Sequence, residues 1–248
     1  WSSDVCSSDL NPLYMAKNGL EIVFLLVKAL PAEAVCSVLE KIPFSFNIKN
    51  SRGQNLLHLA AMNQRHPDVV KALVTKHGYD PMHLCNQGTM AANHCQSIDQ
   101  LAFFLSNNDW QKFVFSNRTI KGDNLLTCIV KQNNHRLLDW LLRNFPQWID
   151  RLDERNNENF SALHAACMDG RAECASILLM YNADVDAMHC LNKDTPLTLA
   201  LKFEHKSIAM TLIMAKANPN LGQEKSALDI RSEEHTSELQ SPDHLVCR

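Results

Sequence analysis

Apolar residues along this chain fall into short paired blocks separated by polar stretches. The first block of each pair is compact and small-faced, as in Asn55-Leu56-Leu57-His58-Leu59-Ala60-Ala61, Ser161-Ala162-Leu163-His164-Ala165-Ala166 and Thr195-Pro196-Leu197-Thr198-Leu199-Ala200. Weaker copies stand at Asn11–Ala16, Met90–Asn93, Asn124–Thr127 and Ser226–Asp229. The second block has the spacing of an amphipathic helix. It reads Val69–Val74, Leu137–Leu142, Ala175–Leu179 and Ile208–Ile213. With the central leucine position as anchor, the copies sit at 13, 57, 92, 126, 163, 197 and 228, in steps of 44, 35, 34, 37, 34 and 31 residues. A period of this length predicts helix–turn–helix units that bury their apolar faces only by stacking on one another.

The polar stretches keep the same register. Gly53, Gly88 and Gly122 each stand four residues before an anchor, where a tight turn calls for positive φ. Further upstream come Asn47-Ile48, Asp80-Pro81, Asp184–Ala187 and Asn218–Asn220. Three departures break the rhythm. The first step exceeds the ~33-residue period by about ten residues, and Pro31 to Glu40 predicts an inserted helix opened by proline. Ala92-Asn93 replaces Leu-His in the third copy, which predicts a locally weak unit. Phe145–Asp150 is an insertion before Leu163.

These blocks, glycines and spacings resemble the ankyrin-repeat family over almost all of 11–230. The resemblance implies an all-α solenoid of about six to seven helix-turn-helix units with β-turn fingers. Leu57, His58, Leu163, His164, Pro196 and Leu197 match the repeat signature. His58 and His164 then take the position whose imidazole hydrogen-bonds between neighbouring units, a structural rather than catalytic role. Ankyrin proteins bind partners on the concave surface made by the fingers and the first helices. Register puts the finger tips near Lys49 to Arg52, Cys85 to Gln87, Arg118 to Lys121, Arg155 to Glu158 and His189 to Asn192. The candidate partner-binding residues are Arg52, Gln87, Arg118, Asn157 and His189, with Trp148, whose loop is rich in polar residues. Arginine and tryptophan are over-represented among residues that dominate binding energy. Trp140 stands where a second-helix leucine packs and is expected in the core.

The chain ends change the charge balance. Residues 231–241 and 1–10 are translations of one oligonucleotide string read on opposite strands, and the string is similar to a sequencing-library adapter. Residues 1–10 and 231–248 are therefore expected to be artefact, leaving 11–230 as a repeat domain open at both ends. That core holds 22 basic and 21 acidic residues. A neutral body offers no electrostatic case for nucleic acid or an anionic membrane. No apolar run approaches the ~20 residues of a membrane span. Seven of the nine cysteines lie in the core, an odd number without framework spacing, which points to a reducing compartment, cytoplasmic or nuclear.

Chemistry-bearing clusters add little. His83, Cys85, His94 and Cys95 have ligand atoms, but their spacing matches no zinc signature, so no metal or cofactor is expected. No phosphate loop, nucleophile elbow or His-Glu-x-x-His is present, and no catalytic residue is assigned. Asp150, Asp153 and Glu154 lie among Arg151 and Arg155, as in a solvated mixed-charge loop. The sequence thus predicts a non-catalytic protein-interaction module, a scaffold or adaptor, whose partner is another protein of unknown identity. The alternative is the substrate-recruiting region of a larger enzyme. Pro146-Gln147-Trp148-Ile149-Asp150 resembles an insertion in the ankyrin region of Mind bomb-type ubiquitin ligases. The cytosolic repeats of a channel or phospholipase fit a similar pattern.

Overall fold

The computed structural model describes residues 49–63, 67–189 and 193–222, together with 34, 35 and 37. Among these the secondary structure is helical, joined by turns. The chain divides into two compact units at Ile120/Lys121.

In the first unit, α1 (Leu56–Ala61) starts at Asn55, whose side chain accepts a hydrogen bond from the His58 amide at 3.2 Å. All six residues of α1 are buried, and Ala60 and Ala61 are fully so, because small side chains admit neighbouring helices closely. Helix α2 (Pro67–Thr75) has proline and Asp68 in its first turn and buries Val69, Val70, Ala72 and Leu73 against α1. The third copy departs from this pattern. Its first block is a single 3₁₀ turn, Ala91–His94, closed by the Asn93 side chain accepting from the Met90 amide at 3.0 Å. Two helices follow, α3 (Ile98–Leu105) and α4 (Asn108–Ser116). Ser97 and Gln100 form a capping box that starts α3. The Gln100 amide is wholly buried and donates to the carbonyls of Ala60 at 3.3 Å and Asn63 at 2.8 Å, which satisfies the orphan C-terminal end of α1.

In the second unit the helices are α5 (Leu125–Lys131), α6 (His135–Asn144), α7 (Ala162–Met168), α8 (Ala172–Met180), α9 (Pro196–Lys202) and α10 (Lys206–Met214). A 3₁₀ turn, Pro146–Arg151, separates α6 from the loop that leads into α7. First helices stack in the order α5, α7, α9, and second helices in the order α6, α8, α10. Asn124, Ser161 and Thr195 cap the three first helices by accepting from amides three residues on.

The anchor residues at 57, 92, 126, 163 and 197 are each at most 1% exposed, as stacked repeats require. The anchors at 13 and 228 and the two chain ends lie outside the described residues. Of the expected helix 31–40, the described Ala34, Val35 and Ser37 are helical, with Val35 buried. No described helix is long and apolar enough to cross a membrane.

Candidate protein-binding fingers

Four of the described loops before a first block are hairpins closed by their own backbone, the first by Asn50 N–H bonding to the Gln54 carbonyl at 2.9 Å. Cys85 N–H bonds to the Thr89 carbonyl, Asn156 to Phe160 and His189 to Asp194, at 2.9 to 3.0 Å. Asn50 and Asn156 tighten two of these turns by accepting two amides each on Oδ1. Successive fingers then join edge to edge. In the first unit Asn86 donates to the Arg52 carbonyl and Ile120 to that of Gln87, and in the second Asn157 donates to that of Lys121, each at 2.9 Å.

That edge contact is why the glycines recur. Gly53 and Gly122 have φ of 72° and 80°, and a Cβ at either would lie 2.2 or 2.4 Å from the Asn86 or Asn157 side-chain oxygen. At the same place in the next two fingers Asn159 and Lys193 take φ of 63° and 53° without glycine.

The tips are therefore Ser51-Arg52, Asn86-Gln87, Ile120-Lys121 and Asn157-Glu158. Arg52, Gln87 and Asn157 are exposed there, and Ile120 is 69% exposed despite being aliphatic. The other three candidates are placed differently. Arg118 is half-buried, two residues short of its tip, with Nη1 donating to the carbonyls of Asn117 at 2.8 Å and Phe115 at 3.4 Å. It caps the end of α4 rather than extending outward. Trp148 is only 1% exposed. The proline-opened 3₁₀ turn folds its indole inward beside α6, and burial of an aromatic side chain, typically about 150–250 Å², outweighs the polarity of the loop. His189 is buried, stacked on Phe160 at 4.6 Å, and its Nε2 donates to the Glu158 carbonyl at 2.6 Å. It ties one finger to the next. Trp140, expected in the core, is half-buried and packs edge-on to Phe145 at 5.7 Å, while Leu137, Leu138, Leu141 and Leu142 fill the core of α6.

The signature histidines are wholly buried. His58 Nδ1 lies 2.7 Å from the Asn55 side-chain oxygen and Nε2 3.1 Å from the Thr89 carbonyl, which joins one repeat to the next. His164 Nδ1 sits 2.8 Å from the Ser161 hydroxyl, within its own capping box. Burial holds both imidazoles down at about 4, against the pull of the Thr89 carbonyl on His58 and of the Ala187 carbonyl on His164. His94 is lowered to about 4 by burial and then by neighbouring His58. The rings of His83 and His94 lie 5.8 and 6.0 Å from that of His58. Among the described residues, no three His, Cys, Asp or Glu groups are placed to hold a metal ion. Arg151 pairs with Glu154 at 2.9 Å, as a mixed-charge loop does.

Stacked helix pairs with bonded fingers match two sets of family models. The one for ankyrin repeats in three copies matches residues 89–189 and 125–223, and the one for a single ankyrin repeat matches 52–87. The chain belongs to the ankyrin-repeat family. Its ankyrin fold is shared with the crystal structure of the human ASB11 ankyrin repeat domain, at TM-score 0.63 and 20% identity over 94% of this chain and 99% of that one. The ankyrin repeat domain of Bcl-3, a member of the IkappaB family, aligns at TM-score 0.60 and 21% identity over 85% and 97%. Among curated proteins, the Target of rapamycin complex 2 subunit AVO2 of Saccharomyces cerevisiae is 25% identical over 149 residues, 60% of this chain. The chain spans about a third of that relative's length, 32%.

Proposed function

We propose that this ankyrin-repeat chain is a scaffold or adaptor that binds another protein through its fingers. The observation that carries the reading is the division of labour among side chains. The signature leucines and histidines are spent on stacking, whereas Arg52, Gln87, Asn157 and the aliphatic Ile120 project from turns already fixed by backbone bonds. Rigid turns lose little entropy when a partner covers them, and an exposed aliphatic flanked by polar groups suits a protein interface.

AVO2 is described as a subunit of a larger complex, which favours an adaptor within an assembly over the recruiting arm of an enzyme. The test is site-specific photo-crosslinking in cell extract. Crosslinkers at Gln87 and Asn157 should give discrete adducts with a protein identifiable by mass spectrometry, and crosslinkers at Arg136 and Lys206 on second helices should not. Adducts confined to Arg136 and Lys206 would reject the finger face.

A further inference from the structure

Three successive repeats of the second unit carry matched positions with alternating chemistry. Asp123, Phe160 and Asp194 each follow the residue of positive φ in their finger, and Lys131, Met168 and Lys202 each end the first helix eight residues later. In the outer two repeats the pair is ionic. Lys131 Nζ lies 2.5 Å from Asp123 and Lys202 Nζ 2.6 Å from Asp194. The carboxylates are at the bottom, with side chains 7% and 6% exposed, and the ammonium groups stand above them at 33% and 43%. In the middle repeat Phe160 and Met168, both half-buried, replace the ion pair.

A molecule lying across α5, α7 and α9 therefore meets the ammonium end of one ion pair, an apolar methionine and the ammonium end of a second pair in order. The fingers above add Lys121, Arg155 and Lys193, all exposed, against the exposed carboxylate of Glu158, which is 3.9 Å from Lys121. Adjacent packed helices lie about 8–10 Å apart, and an extended chain advances about 3.3 Å per residue, so one repeat corresponds to about three residues of peptide. We propose that the second unit binds an extended peptide segment in which two acidic residues flank an apolar one, at three-residue intervals.

This deepens the finger-binding reading and rests on it. A flexible polar loop of ordinary composition would not need the apolar step at Met168, and a nucleic-acid strand would have no use for it.

The test uses the whole chain and a fluorescein-labelled decapeptide of Gly and Ser carrying Glu, Leu and Glu three residues apart. Fluorescence anisotropy should show saturable binding that weakens at least several-fold between 50 and 300 mM NaCl, since charge pairs on a surface are screened. Met168→Asp should weaken binding at least tenfold, and Lys121→Glu with Lys193→Glu about as much. Lys206→Glu on α10 should leave it unchanged. Circular dichroism melts confirm folding; if Met168→Asp does not fold, the lysine pair decides. The proposal is overturned if the decapeptide does not bind, or if a Lys-Leu-Lys version or a twelve-base oligothymidine binds as well. Unchanged binding by the variants would also overturn it. Finger crosslinks without peptide binding would overturn this partner chemistry alone and leave the adaptor reading standing.

Discussion

Leu163 and Arg52 mark the two kinds of position in this chain, one wholly buried in α7 and one exposed at a finger tip. Leu163→Ala should cost about 2–5 kcal/mol in urea unfolding, whereas Arg52→Ala should stay within about 0.5 kcal/mol. Trp148→Ala belongs with the first kind and should cost about 3–5 kcal/mol, the usual range for emptying a buried aromatic site. A neutral Trp148→Ala would contradict its placement.

The histidines make stability depend on acid. His58, His94 and His164 are held at about 4, below the ordinary 6.5, so the unfolded chain binds protons more readily than the folded one between those values. Their contribution is full above pH 6.5 and is lost as pH falls toward 4, with a ceiling of roughly 3 kcal/mol for each. Thermal melts across that window should show a steady fall that is reduced in His94→Gln. A flat profile would contradict the burial of these rings. At this scale the sequence told core from surface wherever the repeat motif itself encodes the packing, as at Leu57 and His58. It did not do so for His189, whose stacking partner Phe160 comes from another finger, or for Trp148, which the 3₁₀ turn buries although the loop around it is rich in polar residues.

Elements were legible where apolar residues recur at helical spacing, as in α2, α6, α8 and α10. The degenerate third copy shows what such spacing leaves out. Ala91–His94 is one 3₁₀ turn in place of a first helix, and α4 is added after α3, neither of which a repeat template anticipates. What holds α3 in place is Gln100 reaching back to the carbonyls at the end of α1, a contact across about 40 positions that no local pattern reveals. Helix α4 buries only Val114. Amide hydrogen exchange should therefore be fastest between 86 and 120 and slower through α5 to α9, because a repeat with few buried contacts opens locally. Uniform protection across the described helices would contradict this. The finger glycines are legible for the same reason that they recur, but their role passes to Asn159 and Lys193 where the next finger differs. Gly122→Ala should destabilise its hairpin, since the added Cβ would meet Asn157 while the backbone keeps positive φ.

For the molecule as a whole, period and phase were enough to place the chain in a family, because each repeat contacts its neighbours and little else. They did not reveal which fingers remain open to a partner, since that depends on where side chains fold back, as Arg118 does onto α4. The central claim is that packing and partner binding use separate residues. Its most direct measurement is the triple variant Arg52→Ala, Gln87→Ala and Asn157→Ala, compared with the parent chain for melting temperature and for retention of the crosslinked partner on beads. The account predicts an unchanged melting temperature with at least tenfold weaker retention. Retention equal to that of the parent, at the same melting temperature, would contradict it.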